Sequence, residues 1–506
     1  MSDSPSLLVP LTIGLYLIVV LALGTLAMRR TRTAMDFFAA GRKLGVVFVG
    51  LAAMSSAFSG FVFLAGPGLT YDIGVGSLMI FVPAGITSAL LCWTVAKRLR
   101  LISQLRSVVT IPGALGCRFD SRSVLGLSSV AVLCGSVAYL ALQVTALGIV
   151  FESLFSTREA LGAWSMPLMM MVGLSVIVVY SAAGGVLAGV YTDVFQGVLM
   201  MAASVAVFVY SLSAAGGAKA AMASIADSPA FGEAFLDPIG KIDVLGAFGF
   251  FFVFSVGTLG QPHVVHKFFM LADLRRLKHM PLVIGISQAA CLMMWLGIGL
   301  AVPALVAQGR LAPLDRPDLA TPRFLLEFTP DILSAVVFTA VVAAIMSTSD
   351  SILNIAAAAV VRDLPRSIGR SIDDEVYWGR VATCAVAATT LMLALAYGDL
   401  MALLGTFAFG VFAACLAPSL AIGLNWKRVG SRAATASIAT GLLLSLGLEF
   451  LARQNVLPSL PGSPLLSAAV PSAAALAAST LVLVVVTLSS VPERELAEDI
   501  SAALEA

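Results

Sequence analysis

A group of hydroxyl and carboxyl side chains lies in the middle of a long apolar stretch of this sequence. The spacing i, i+3, i+4 and i+7 places four residues on one face of a helix: Ala344, Ser347, Thr348 and Ser351. Asp350 lies at the edge of this face. A free backbone carbonyl with two hydroxyls is an oxygen ligand set that a small alkali cation can use. Ser and Thr also pack helices together or bond to carbonyls one turn earlier, but the whole cluster beside an acid favours an ion site.

The composition indicates a membrane protein with many spans. Of the 506 residues, 59% are apolar and only 11% are charged, whereas about a quarter of the residues in a soluble domain are charged. The six cysteines are isolated, and the three histidines have no Cys or carboxylate partner at ligand spacing. We therefore expect neither a disulfide framework nor a transition-metal site.

Apolar runs of about twenty residues mark the expected transmembrane helices. They predict thirteen spans, at 6–27, 46–67, 75–96, 124–151, 165–183, 189–213, 243–265, 281–307, 331–361, 381–398, 400–424, 433–452 and 464–490. With the N-terminus outside, the inside segments are 28–45, 97–123, 266–280, 362–380, 425–432 and the C-terminal tail. These segments hold 23 of the 30 Lys and Arg residues, so the positive-inside rule selects an outside N-terminus and a cytoplasmic C-terminus.

Two of these spans contain residues that interrupt a helix. The second span contains Ser55–Gly60 and closes with Gly66–Gly68, and the seventh contains Ser255–Pro262. Gly and Pro free backbone carbonyls, which is tolerable at membrane depth only around a cavity or protein interior. The interrupted spans are five apart, so two five-helix units of opposite orientation are expected, with a binding site between the broken helices. Each interruption could also be a simple kink.

The expected organisation follows from these two units. It comprises an N-terminal helix and loop (1–45), a first repeat (46–213), an inverted second repeat (243–424), and two C-terminal helices with a short tail (433–506).

Several separated motifs carry a resemblance to a known family. They are Asp36–Gly45, Ser59-Gly60 with Gly66–Gly68 and Tyr71, Thr110–Pro112 with Arg118-Phe119, Gly184-Gly185 with Tyr191–Gln196, Gly260–His263, Met346–Ser351, and Phe407–Gly410 with Trp426–Arg428. Together and in this order they make the chain similar to the sodium:solute symporter family, the group of sodium/proline, sodium/pantothenate and sodium/glucose carriers. The resemblance covers roughly residues 5–430.

This resemblance implies an all-α membrane protein with the leucine-transporter type fold and a bound sodium ion as the only metal. The implied sodium ligands are the carbonyls of Ser55, Phe58 and Ala344 and the hydroxyls of Ser347 and Thr348. A second cation site or an ion exit route is implied at Asp193, Asp350 and Ser351. Asp193 could instead cap the sixth helix beside Thr192.

The solute itself is less well determined. The residues expected to contact it are Ser56, Ser59, Gly60, Gln143, Phe254, Thr258 and Phe407. The proline branch of the family has an acid where this chain has Ala57, and its aromatic pair in the seventh span is replaced by Phe254 and Thr258. No Lys or Arg is expected at the membrane midplane. This mostly apolar lining favours a small, partly apolar solute, such as an amino acid like proline or a small carboxylate.

A sodium-coupled symporter in a bacterial inner membrane is therefore the leading hypothesis, with the solute, sodium ions and lipid as partners. A proton-coupled symporter of the same fold is an alternative, and so is a transporter-like membrane sensor. The roughly fifteen residues after Val491 are too few for a sensor's output module. No enzyme is expected, because no catalytic constellation occurs at one depth and no phosphate-binding loop motif is present. Nothing suggests nucleic-acid binding, and the oligomeric state is left open.

Overall fold

The computed structural model describes residues 7–28, 44–81, 83–397, 401–454, 464–490 and 497–505. Within these residues the chain is helical, and its β pairing consists of one isolated bridge between Leu44 and Leu271. The predicted all-α class is therefore confirmed. Most of the predicted motif at 36–45 lies outside the described residues.

The α-helices, numbered in chain order, are α1 (Leu8–Met28), α2 (Val46–Ala57), α3 (Gly66–Ile73), α4 (Leu78–Phe81), α5 (Ala84–Leu91), α6 (Lys97–Arg106), α7 (Ile111–Phe119), α8 (Arg122–Phe155), α9 (Thr157–Leu161), α10 (Ser165–Ala214), α11 (Ala218–Ala226), α12 (Val244–Gly257), α13 (Pro262–Val265), α14 (Met280–Ala307), α15 (Ala320–Phe328), α16 (Asp331–Ala358), α17 (Leu364–Ser367), α18 (Glu375–Tyr397), α19 (Met401–Ala421), α20 (Ser431–Arg453), α21 (Pro464–Ser489) and α22 (Glu498–Glu505). Turns of π-helix occur at Phe61–Ala65, Cys92–Ala96 and Ala359–Asp363, and turns of 3₁₀-helix at Gly74–Ser77, Gly162–Trp164, Glu233–Phe235, Thr258–Gly260, His266–Met270, Leu274–His279 and Pro317–Leu319.

The number of membrane crossings differs from the prediction. Among the described residues, ten helical stretches are long and apolar enough to cross a membrane, or eleven when the bent pair Val244–Gly260 and Pro262–Met270 is counted as one. The count of thirteen is not confirmed. One reason is that the second and third predicted spans are divided into short helical pieces. Another is that the apolar stretch Leu8–Leu23 in the first predicted span is shorter than a full crossing. The predicted loop at 184–188 is helical within α10, but the apolar stretches on its two sides, Thr157–Val179 and Gly189–Ala214, still count as two spans.

The predicted interruption in the second span is present. Helix α2 ends at Ala57, and the backbone becomes extended at Phe58, where φ is −92° and ψ is 119°. The chain resumes as the π-helical turn Phe61–Ala65, followed by α3 with Pro67 in its first turn. Because the last carbonyls of a helix have no N–H ahead of them, the end of α2 leaves polar backbone groups inside the bundle.

The seventh predicted span is also interrupted, and it extends further than predicted. Helix α12 passes into the 3₁₀ turn Thr258–Gly260, Gln261 is extended, and Pro262 starts the next segment at a bend of 41°. The following residues, His266–Met270, are all buried. The predicted end at residue 265 was wrong, because these residues continue the buried segment and do not begin a cytoplasmic loop.

The segments predicted to share the cytoplasmic side contact one another. The backbone at Leu44 pairs with the chain at Leu271, and the Leu271 carbonyl also accepts a hydrogen bond of 2.9 Å from Arg100 Nε. The buried Arg118 guanidinium donates to the carbonyls of the loop that precedes α20, at Gly423, Trp426 and Val429. The C-terminal helix α22 joins the same end of the bundle, where Asp499 pairs with Arg106 at 2.9 Å. The described parts of these segments therefore meet at one end of the bundle.

The loops predicted on the opposite side also contact one another. The Tyr71 hydroxyl accepts a hydrogen bond of 3.1 Å from the Leu314 N–H. Trp295 Nε1 donates to Thr70 Oγ1 at 2.9 Å. At Gly68, an added Cβ would lie 2.6 Å from the Pro317 carbonyl oxygen, so only glycine lets these backbones approach so closely. The two broken segments thus lie between two groups of packed loops.

Candidate functional site: an ion and solute centre between the broken helices

The end of α2 meets the polar face of α16. Thr348 Oγ1 donates to the Ser56 carbonyl at 2.9 Å and also lies 3.3 Å from the Phe58 carbonyl. Both carbonyls belong to the interrupted backbone and lack helical partners. The polar face of α16 is buried, as are Ala344 and Ser347. The structure therefore gathers hydroxyl and carbonyl oxygens at the point where the helix stops.

Ser347 extends this cluster toward α10. Its Oγ accepts a hydrogen bond of 2.9 Å from Ser55 Oγ and donates to Asp193 Oδ1 at 2.6 Å. Asp193 lies well inside α10, so it does not cap a helix start. The adjacent Thr192 hydroxyl bonds back to the Gly189 carbonyl at 2.8 Å.

A buried lysine completes the cluster. Lys267 Nζ lies 2.6 Å from Asp193 Oδ2 and donates to Ser351 Oγ at 3.0 Å. The side chains of Lys267 and Asp193 are 4% and 1% exposed. Ser351 Oγ is in turn 3.1 Å from Ser56 Oγ. The sequence analysis placed Lys267 in the cytoplasmic segment 266–280, whereas the structure buries it against Asp193.

The sequence did contain a signal for this lysine. Lys267 follows the Gly260–His263 interruption and is followed by Phe268, Phe269, Met270 and Leu271. An uninterrupted apolar run after a charged residue is unusual for a cytoplasmic loop.

The predicted cation residues separate into two groups. Phe58, Ser347 and Thr348 lie close together, and Ala344 lies one turn before Thr348 on the same buried face. Ser55 contributes its hydroxyl, and the carbonyl near Thr348 that the sequence did not assign belongs to Ser56.

Asp350 lines the same pocket as Lys267 and Ser351 but is not hydrogen-bonded to either. Its Oδ1 accepts from Asn354 Nδ2 at 3.1 Å, and its Oδ2 would lie 2.7 Å from a Cβ added to Gly189. The physical reason is that successive residues on a helix differ by about 100° in direction. The Asp350 carboxylate therefore points in a different direction from the Ser351 hydroxyl.

A narrow vestibule lies beside these groups, on the side of the basic loops. Lys267, Asp350 and Ser351 line its inner part, and Thr110 and Asp363 line its outer part. Thr110 and Asp363 are joined by a 2.9 Å hydrogen bond and also line a wider cavity beyond it, with Arg362 and Arg366. The polar residues thus mark a route from the cluster toward that side of the protein.

A second cleft lies on the other side of the first interruption. It contains about 540 Å³ of empty space, including its open mouth. Its lining is Ala57, Phe58, Phe61, Val62, Ile80, Thr87, Tyr139, Phe254, Thr258, Gln261, Gln288, Leu292, Trp295 and Phe409. None of these residues carries a formal charge.

Aromatic rings form much of this cleft. The rings of Phe254 and Phe409 are 4.4 Å apart between centroids, and Phe61 stacks on Phe254 at 5.3 Å. Phe254 and Thr258 were predicted to line the solute site, and both line the cleft. The predicted Phe407 does not, because positions two apart on α19 face nearly opposite directions and Phe409 holds the inward one.

Three other predicted solute residues, Ser59, Gly60 and Gln143, do not line the cleft but lie next to it. Ser59 Oγ lies 2.9 Å from the Tyr139 hydroxyl, which itself faces the cleft. Gln143 Oε1 accepts the Gly60 N–H at 3.0 Å. A Cβ on Gly60 would lie 2.6 Å from Ala146 Cβ, so this glycine is required for close packing on α8 and not for space in the cleft.

Ser56 belongs to the cation cluster through its carbonyl and hydroxyl. It does not line the cleft.

The cleft also contains polar groups that the sequence did not identify as solute contacts. Among the described residues, Gln261 Nε2 and Gln288 Oε1 are buried without a hydrogen-bond partner. Buried polar atoms without a partner are uncommon, and here one is a donor and the other an acceptor. The motif Gly260–His263, which helped to indicate the family, contains Gln261.

Comparison with known proteins agrees with this architecture. The profile of the sodium:solute symporter family matches residues 37–441. The high-affinity proline transporter PutP of Bacillus subtilis is 28% identical over 437 residues, which cover 83% of this chain and 88% of that protein. The sodium/pantothenate symporter of Escherichia coli is 25% identical, over 88% of this chain and 92% of that protein.

Solved structures show the fold. A structure of a Na⁺-coupled sialic acid symporter superposes with a TM-score of 0.74 at 17% identity, covering 97% of this chain and all of that one. The transporter MhsT, solved with L-phenylalanine, superposes with a TM-score of 0.57 at 15% identity, covering 89% of this chain and 99% of that one. The leucine-transporter type fold implied by the sequence is confirmed. The chain belongs to the sodium:solute symporter family.

Proposed function

We propose that this protein is a sodium-coupled symporter that carries a small organic solute across a bacterial inner membrane by alternating access. The observation that carries the proposal is the Thr348 hydroxyl, held between the freed carbonyls of Ser56 and Phe58. Family membership and the sodium symporters among the relatives support it. The N-terminus lies outside and the C-terminus in the cytoplasm, and the chain acts in transport and not in catalysis.

The ion binds where the hydroxyl now donates to a carbonyl. Sodium needs oxygen lone pairs, which the predicted ligands supply: the carbonyls of Ser55, Phe58 and Ala344 and the hydroxyls of Ser347 and Thr348. The Ser56 carbonyl, which accepts from Thr348, is a further ligand. When the ion enters, the Thr348 proton turns away and its oxygen becomes a ligand. Ion binding therefore fixes the interrupted end of α2 to α16, because both supply ligands.

The solute binds in the cleft beside this junction. Aromatic rings such as Phe254 and Phe409 contact its apolar part, and Gln261 Nε2 donates to an oxygen of the solute. Because no charged side chain lines the cleft, a neutral or zwitterionic solute fits best. An amino acid such as proline, or a small carboxylate accompanied by the cation, meets these requirements.

The two broken segments link the ion to the solute. Phe58 belongs to both sites, since its carbonyl faces Thr348 and the residue lines the cleft. Repeats 46–213 and 243–424 move against each other around these segments. One charge moving down 100 mV supplies about 2.3 kcal/mol for the cycle, before any concentration gradient.

The first prediction concerns coupling. Purified protein in proteoliposomes should take up a labelled solute from a panel of amino acids and small carboxylates only when an inward sodium gradient is imposed. A thermal-shift screen with and without sodium selects the panel. Uptake that follows an inward proton gradient without sodium would support the proton-coupled alternative and contradict the proposal.

The second prediction concerns the ion ligands. Thr348→Val keeps the side-chain shape but removes the hydroxyl, and it should raise the sodium concentration for half-maximal uptake by about tenfold or more. The reason is that a hydrogen bond or oxygen contact to a charged group contributes roughly 1.5–3 kcal/mol. Thr348→Ser should restore most of the affinity.

The matched control for this experiment is Ser349→Ala. Ser349 is equally buried on α16, but its hydroxyl bonds back to the Ile345 carbonyl at 2.6 Å. This variant should keep the parent's sodium dependence. Equal effects of Thr348→Val and Ser349→Ala would remove Thr348 from the ion site.

The third prediction concerns the solute cleft. Phe254→Ala should weaken binding of the more apolar solutes by about 1–3 kcal/mol, because a buried ring contact is lost. Phe248→Ala is the control, since Phe248 is on the same helix but 57% exposed on the outside of the bundle. Solute-dependent thermal shifts of both variants provide the measurement. If Phe254→Ala lowers protein stability but leaves the relative affinities for different solutes unchanged, the ring packs against neighbouring helices and does not contact the solute.

A further inference from the structure

The Lys267 ammonium is bonded to oxygens of Asp193 and Ser351, two residues that the sequence suggested for a second cation site. The ammonium donates to Asp193 Oδ2 at 2.6 Å and to Ser351 Oγ at 3.0 Å. Asp193 and Ser351 are two of the three residues assigned to that second position. A positive charge of this protein's own therefore already occupies it.

The remaining polar atoms around this position are also engaged. Asp193 Oδ1 accepts the Ser347 hydroxyl proton at 2.6 Å, and Ser351 Oγ lies 3.1 Å from Ser56 Oγ. A sodium ion coordinated by Asp193 and Ser351 would have to lie within a few ångströms of the ammonium. Two cations this close in a buried site repel each other, and Asp193 is the carboxylate in direct contact with the ammonium. Asp350 lines the same vestibule, but its Oδ1 is bonded to Asn354.

We propose that Lys267 is a built-in cation that fills the second ion position, so that the protein binds one sodium ion per cycle. This inference rests on the proposed function, since it concerns the number of ions that the symporter carries. The ammonium remains attached to the chain, and therefore supplies the charge that holds Asp193 in place without being transported.

The same pair positions a ligand of the first ion. Because the Ser347 hydroxyl donates to Asp193, its proton points toward the ion pair and its lone pairs point away. One lone pair now accepts the Ser55 hydroxyl, which lies on the interrupted end of α2. Lys267 thus acts as a positioning residue for Ser347, through Asp193.

The location of Lys267 also connects the ion cluster to the second broken segment. Lys267 lies in the buried turn His266–Met270, five residues after Pro262. Asp193 belongs to the first repeat, and Ser351 to α16. A displacement of the second broken segment would therefore move the ammonium away from Asp193 and expose the carboxylate to the vestibule.

The test is the number of sodium ions bound to purified protein, measured by equilibrium binding of ²²Na⁺ to detergent-solubilised protein. This measurement needs no knowledge of the solute. The parent should bind one ion per chain with a Hill coefficient of one. Lys267→Met removes the charge and keeps the side-chain length, and it should bind two ions per chain, the second of them on Asp193 and Ser351.

Three variants test alternative explanations. Lys267→Arg keeps a positive charge and should still bind one ion. The double variant Lys267→Met/Asp193→Asn removes both charges, so it should fold and bind one ion even if Lys267→Met alone is unstable. Lys278→Met removes an exposed lysine from the neighbouring loop and should behave as the parent does.

The outcomes separate this inference from the proposed function. Two ions bound to the parent, or one ion bound to both Lys267→Met and the parent with equal affinity, would overturn the role of Lys267 and leave sodium coupling intact. If Lys267→Met is too unstable to measure, two ions bound to the double variant Lys267→Met/Asp193→Asn would also overturn the proposed role of Lys267. No sodium binding by the parent would contradict the proposed function itself.

Discussion

Inside a bilayer, a backbone carbonyl released from its helix must find another partner, because no water is available to supply one. This constraint governs the centre of the molecule. The helix ending at Ala57 leaves carbonyls that accept from Thr348 on α16, and the N–H of Gly60 is satisfied by the side chain of Gln143. The same groups that stabilise the interruption are the ones that an ion can use. The proposed ion site is thus a consequence of how the freed carbonyls find their partners.

The network around the break joins four separate parts of the chain. It runs from Ser55 through Ser347 to Asp193, and then to Lys267. A buried charge pair is costly to form, and removing one partner of such a pair is more costly still, typically about 3–5 kcal/mol. Such a pair is weak support for stability by itself. Its value here is that it fixes the orientation of a hydroxyl in the site and links the two broken segments.

The sequence was sufficient for those parts of the site that depend on local periodicity. The spacing of Ser347 and Thr348 placed them on one face, and the Gly and Pro residues indicated both interruptions. The contacts that it missed depend on how segments pack in three dimensions. Lys267 was placed in the loop 266–280 because the apolar run was ended at residue 265, although the bent segment carries it into the interior. Choosing Phe409 over Phe407 would have required the rotation of α19 about its axis, and the role of Gly60 required the position of Ala146 on another helix.

The position of a sodium ion relative to Thr348 and Lys267 decides whether the proposed ion site and the role of the lysine are right. A cryo-electron microscopy structure of the protein in sodium, compared with one in a large organic cation, measures this directly. We predict one sodium-dependent density within coordination distance of the Phe58 carbonyl and the Ser347 and Thr348 hydroxyls, with the Lys267 ammonium still on Asp193. Density between Asp193 and Ser351 with the lysine displaced, or none beside Thr348, would contradict the account.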